Sequence, residues 1–163
     1  MLFLLLFTSV VSEQETPPEY KRNLICEDIS ETIKNKNVAC EIEKVLRING
    51  FGAELIVAAL TNSYAESKFN PLAIGDQGMS VGVFQLRTGG LGGTMTVEER
   101  QDIKESTKRV VIALKKSTKI KNAIARNSTS GQLTKLFCTE IMRPSDKHTK
   151  AQQRALLVET VFD

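Results

Sequence analysis

Ala53-Glu54-Leu55-Ile56-Val57-Ala58-Ala59-Leu60-Thr61-Asn62-Ser63-Tyr64-Ala65-Glu66-Ser67 runs directly into Lys68-Phe69-Asn70-Pro71-Leu72-Ala73-Ile74-Gly75-Asp76-Gln77-Gly78-Met79-Ser80-Val81-Gly82-Val83-Phe84-Gln85. The first half is almost wholly apolar from Leu55 to Leu60 and predicts a helix buried nearly all round. Leu55, Ala59, Asn62 and Glu66 fall at i, i+4, i+7 and i+11, so a stripe that begins in the core ends on a carboxylate. Desolvation disfavours the ionised form of Glu66, and so does the partial negative charge of the helix C-terminus. A carboxyl group placed in this way suits proton donation near neutral pH. Holding it half-buried costs stability, so replacing it by glutamine is expected to raise the melting temperature. A lone glutamate at a helix end is ordinarily a solvated one, and it is the second half of the stretch that argues for chemistry.

Lys68 to Gly93 carries too many glycines for long regular elements and predicts a loop with a short β-hairpin between Leu72 and Phe84. Within it, Glu66-Ser67, Phe69-Asn70-Pro71, Gly75-Asp76, Gly78, Ser80 and Gly82-Val83-Phe84-Gln85 resemble the catalytic motif of the lysozyme superfamily. The pattern is that of lytic transglycosylases, goose-type lysozymes and phage tail lysozymes: a Glu-Ser at a helix end, a Gly-Asp turn, and a Gly-x-x-Gln closing the cleft. The match extends over about twenty residues, which makes it far more specific than a single short motif. A weaker match, Phe137-Cys138-Thr139-Glu140-Ile141-Met142-Arg143-Pro144 followed by a helix with Arg154 and Ala155, resembles the closing segment of phage tail lysozymes.

The resemblance implies an α+β, mainly α, lysozyme-like domain over residues 19–163, with a loop-rich or short β-hairpin insertion carrying the site. It implies cleavage of the β-1,4 bond between N-acetylmuramic acid and N-acetylglucosamine in peptidoglycan, by hydrolysis or by transglycosylation. It also implies a bacteriophage setting, either as a lysis enzyme or as a virion component that opens the wall at entry beside other virion proteins.

On this resemblance Glu66 is the general acid. Asp76 is the residue that helps to place an attacking water, against the alternative of an Asx turn holding its own backbone. Goose-type lysozymes carry a further aspartate two residues past the motif glutamine, and here that position is Arg87. An inverting hydrolase needs a base ~6.5–9.5 Å from the acid, so this substitution weighs toward the transglycosylase route, in which the substrate's own 6-hydroxyl attacks. Gln85, with an amide that donates and accepts, suits a sugar N-acetyl or hydroxyl group. Ser80 is placed either within the loop or against sugar, and Tyr64 and Phe84 are the candidate aromatic walls. There is no tryptophan, there are only two tyrosines, and no transglycosylase Ala-x-Asn-Tyr element is present. These absences, with Arg87, support the alternative of a catalytically inactive glycan-binding or structural module of a virion.

The remaining sequence bounds the answer. A chain of 163 residues suits one domain with one core. The formal charge of +3 favours anionic wall polymers only mildly. No Lys/Arg stripe interleaved with aromatics is present, which argues against a nucleic-acid groove. His148 is the only histidine and no C-x-x-C occurs, so no metal site or cofactor is expected. Residues 1–12 form a signal-like or anchoring apolar segment, too short to span a bilayer but able to contact a membrane, and residues 13–18 a polar linker. Exported or virion-associated location follows. In an exported protein Cys26 and Cys40 can close a short loop, while Cys138 reads as a buried small hydrophobe. Predicted helices run from Pro18 to Asn35, Val38 to Ile48, Thr96 (a capping box) to about Thr118, Ile120 to Arg126, Gly131 to Met142 behind a Ser130 cap, and Thr149 to Phe162 with Leu156, Leu157 and Val161 inward.

Overall fold

The computed structural model of the chain describes residues 24–162. The apolar segment of residues 1–12, the linker of residues 13–18 and the first turns of the helix expected from Pro18 lie outside the described residues. Where that helix is expected to continue, the chain makes only a 3-10 turn, Ile25–Asp28, and further turns up to Asn35. The backbone N–H groups that a helix would have used internally go elsewhere. Those of Ile25 and Cys26 donate to the carboxylate of Glu43 at 2.9 and 2.7 Å. Glu43 is fully buried, and its charge is balanced by Arg47 Nε at 2.6 Å. A disulfide between Cys26 and Cys40 ties the same turn to the first helix, α1, Lys36–Ile48. Closing a loop of 14 residues restricts the unfolded chain by about 3 kcal/mol. The Cys26→Ser/Cys40→Ser variant is therefore expected to melt roughly 6–12 °C lower by calorimetry. A change under two degrees would show that Glu43 alone holds the turn.

Helix α1 stops at Asn49-Gly50: Gly50 takes φ +83°, and Phe51 N–H returns to the Leu46 carbonyl at 3.2 Å. Helix α2, Ala53–Ser67, is the central post of the domain, buried from Leu55 to Ser63 except at half-exposed Val57. The segment after it folds as three two-residue strands, β1 Ile74–Gly75, β2 Ser80–Val81 and β3 Leu86–Arg87, in one antiparallel sheet of order β1-β2-β3. The register pairs Gly75 with Ser80, and Ser80 with Arg87. The sequence predicts the hairpin but not β3, which lies just past its expected end.

Thr96 forms the expected capping box with Glu99, yet the helix it opens is short, α3 Val97–Gln101. Asp102 takes an extended conformation and caps a separate helix, α4 Ile103–Lys116. Helices α5, Thr118–Ala125, and α6, Ser130–Phe137, follow, capped by Ser117 and Thr129. Thr129, with Gln132 as its box partner, takes the place expected of Ser130. The chain then widens into a π turn, Cys138–Met142, ended by Arg143 at φ +49°, and closes with α7, Lys147–Val161.

Helices α6 and α7 pack on α2, and α4 packs on α1. The core between them is filled by Leu46, Leu60, Phe69, Phe84, Leu114 and Phe137, none more than 1% exposed. In α7 the inward residues are Ala151, Arg154 and Val161, whereas Leu156 is 75% exposed and Leu157 half-buried. Leu156 thus departs from the expected inward set, because the 3.6-residue turn that brings Arg154 onto α2 carries Leu156 to the far side. Cys138 is unpaired and buried, and desolvation pushes its thiol pKa up, so it is inert. Among the described residues no helix is long and apolar enough to cross a membrane.

Candidate active site

Glu66 sits on the last turn of α2, and its side chain retains 18% of its exposure. It is not alone. Arg154 of α7 places Nη2 at 2.6 Å from Glu66 Oε1. Its other terminal nitrogen, Nη1, donates to Asn62 Oδ1 at 2.8 Å. Asn62 lies one turn before Glu66 on the same face, and its amide donates to the carbonyls of Ala58 and Thr134 at 2.8 and 3.2 Å. The guanidinium is 7% exposed and forms charge-assisted bonds to both acceptors. One oxygen of Glu66 is therefore oriented from behind, and among the described residues Oε2 has no protein partner.

The loop is bolted to the same helix end. Ser63 Oγ and Ser67 Oγ both donate to the Val83 carbonyl, at 3.1 and 3.0 Å. Ser67, the second letter of the Glu-Ser pair, thus fixes the distance from the carboxylate to the loop. Gly82 has φ +83°, and the Arg100 carbonyl occupies the place where a Cβ would stand, so only glycine fits. Arg100, 4% exposed, clamps the sheet by donating from Nη1 to the Met79 and Leu86 carbonyls at 2.8 and 3.0 Å.

Asp76 and Gln85 are both held at positive φ, +48° and +46°. Side chains other than glycine rarely adopt this conformation, which costs ~1–3 kcal/mol and persists only where the surroundings enforce it. For Gln85 the enforcement is visible. Its Nε2 donates to the Ala73 and Gly82 carbonyls at 3.1 and 3.0 Å, and its Oε1 lies against Gly75, where any Cβ would collide. Both amide hydrogens are spent inside the loop, so toward a sugar Gln85 has only its oxygen to offer. Asp76 Oδ2 accepts from Ser80 Oγ at 2.6 Å and from Arg87 Nη1 at 3.2 Å. Ser80 thus bonds within the loop, one of the two placements expected of it. Arg87 does more than replace an acid: it forms an ion pair with Asp76, both side chains being 54% exposed.

A cavity of about 300 Å³ brings four of the expected residues together: Glu66, Asp76, Ser80 and Gln85. Its opposite wall is Met142, Arg143, Pro144, Ser145 and Lys150, from the turn after α6 and the start of α7. Phe84 is not part of it. That residue is fully buried in the core, because Val81, Val83, Phe84 and Leu86 together form the apolar floor on which the loop rests. The expectation of Phe84 as an aromatic wall is corrected accordingly. Tyr64 does not line the cavity either, and its expectation as a wall is likewise corrected: its ring packs 5.5 Å from that of Phe69, with Lys68 Nζ 4.0 Å above it. Among the described residues no three His, Cys, Asp or Glu side chains come together as a metal site would require.

Sequence reasoning missed Arg154 as the partner of Glu66 and Asn62 as its anchor, whereas the opposite wall comes from the segment singled out as resembling the closing segment of phage tail lysozymes. The available signal for Arg154 was a charged residue in register with Ala151 and Val161 on the inward face of α7.

A family model described as phage tail lysozyme matches residues 37–162, a span that contains both the loop and the opposite wall. No curated protein and no solved structure matches the chain.

Proposed function

The chain belongs to the phage tail lysozyme family, and from that membership we propose that it cuts the glycan strands of peptidoglycan at the β-1,4 bond from N-acetylmuramic acid to N-acetylglucosamine. The observation that carries this reading is the cavity joining Glu66 to Asp76, Ser80 and Gln85 across from residues 142–145.

Glu66 protonates the leaving oxygen through Oε2, the oxygen with no protein partner among the described residues. Arg154, bonded to Oε1, keeps the carboxyl group in orientation and stabilises the anion left behind once the proton is gone. In transglycosylation that anion then takes the proton of the 6-hydroxyl of the same muramic acid as its oxygen bonds to the anomeric carbon and closes the 1,6-anhydro ring. In hydrolysis a water attacks the anomeric carbon instead and gives its proton to Asp76. Asp76 is the candidate for holding that water. Both of its protein contacts fall on Oδ2, and among the described residues Oδ1 has no partner. Arg87 stands where goose-type lysozymes carry a further aspartate, which favours the route needing no separate base. The chain acts on the wall from the virion or after export, where a disulfide between Cys26 and Cys40 is stable. Membrane contact through residues 1–12 belongs to the same proposal.

Digestion of purified sacculi followed by chromatography and mass analysis of the products tests the reading. Muropeptides ending in 1,6-anhydro-muramic acid are expected, and new reducing ends would instead mark hydrolysis with Asp76 as base. Release of peptides with intact glycan strands would overturn the bond assignment. Binding of sacculi without any product would establish the inactive module.

A further inference from the structure

The cavity at Glu66 does not end at Gln85. A second cavity of about 590 Å³ adjoins it, with Gln85, Arg87, Met142 and Arg143 lining both, and extends to the junction of α4 and α5. A third, of about 450 Å³, opens beside both at Arg143. The branch toward α4 has an apolar floor, with Leu86, Leu91, Ala113 and Ile141, and a cationic rim. Arg109 stands on that rim with its Nε fixed to the Leu91 carbonyl at 2.6 Å, and Lys116 is exposed at the end of α4.

The charge distribution is informative. Seven lysines and arginines line these three cavities against three carboxylates, Glu66, Asp76 and Glu140. The surplus of four compares with a surplus of only three for the entire chain, 22 against 19. The rest of the protein is therefore close to neutral, and the positive charge is gathered along these cavities. Asp76 and Glu140 are already paired with Arg87 and Lys119. Neutral sugar rings have no use for the remaining cations. An acidic ligand with small apolar groups does.

We propose that the branch between α4, α5 and the π turn binds the acidic stem peptide that peptidoglycan carries on the lactyl ether of N-acetylmuramic acid. The proposal rests on the reading of peptidoglycan as substrate. The stem leaves the same sugar ring whose anomeric bond is cut, so it must exit beside the Glu66 cavity, where the second cavity adjoins it. Its carboxylates meet Arg109 and Lys116 on the rim, and its alanine methyl groups lie on Leu91, Ala113 and Ile141. At about 590 Å³ the branch falls within the ~300–1,000 Å³ typical of sites for small ligands.

The Lys116→Glu variant tests this, assayed on intact sacculi and on glycan strands stripped of peptide by an amidase. A loss on the order of tenfold is expected on sacculi, with wild-type rates on stripped strands. In parallel, the free stem tetrapeptide is titrated into each protein, with polyglycerol phosphate as a rival anion. The wild type is expected to bind the peptide, with amide shifts at Leu91 and Ala113, and the variant is not. Equal losses on both substrates, or binding of polyglycerol phosphate in place of the peptide, would overturn the proposal. A wild type that binds the peptide at these residues and cuts neither substrate would uphold the peptide site and remove the enzymatic reading. Cutting of both substrates with no peptide binding would do the reverse.

Discussion

Glu66→Gln is expected to lower clearing of purified cell walls by ~10²–10⁴-fold, the usual contribution of a positioned general acid. Glutamine keeps the shape of the side chain and an oxygen for Arg154 Nη2, so the variant stays folded and the loss is chemical. The structure changes what the melting temperature should do. A half-buried carboxylate without a partner would gain stability on neutralisation, as the sequence alone suggests. With Arg154 2.6 Å away, removing the negative charge leaves a 7% exposed guanidinium facing a neutral amide. The melting temperature of Glu66→Gln is therefore expected to fall, with the retained amide oxygen offsetting part of the loss. Clearing at wild-type rates by a folded Glu66→Gln protein would remove Glu66 from the reaction.

Arg154→Met is expected to destabilise the fold by about 3 kcal/mol, at the low end for breaking a buried pair because Glu66 keeps some contact with water. Two acceptors lose their donor at once, Glu66 Oε1 and Asn62 Oδ1, and the second is fully buried. Urea unfolding measures the loss. The double variant Glu66→Gln/Arg154→Met is expected to recover part of it, since the uncompensated charge is then gone, and the cycle of four proteins isolates the coupling. Additive effects in that cycle would mean that the pair contributes packing and no electrostatic stabilisation. Turnover by Arg154→Met is expected to fall with it, through loss of the orientation of Glu66.

The elements that were legible in the sequence are those whose signal is local. Leu55 to Leu60 could only be a buried helix, and Asn49-Gly50 and Thr96 to Glu99 announce a stop and a start by themselves. The glycine-spaced loop after Glu66 was legible for the same reason. What was hidden depends on partners far away in the chain. The break at Asp102 was masked because Val110, Val111 and Leu114 extend an apolar face compatible with one long helix, although Asp102 and Glu105 repeat the capping pattern. Strand β3 is two residues long, too short for any periodicity to show. Phe84 was misplaced because a loop rich in glycine suggests exposure, whereas this one lays four apolar side chains on the core. Arg154 is separated from Glu66 by 88 residues, and no spacing rule connects them.

The hydrogen bonds from Arg154 to Asn62 and Glu66 span 92 and 88 residues, and Asn62 is also held by Thr134 of α6. During synthesis the loop and the carboxylate emerge long before the helix that orients them. A ribosome that has released everything up to Ser145 has made Glu66, Asp76 and Gln85 but not the cation behind them. The site is thus completed only when α7 folds back onto α2, and a chain halted before Arg154 carries the Glu66 carboxylate without the cation that orients it.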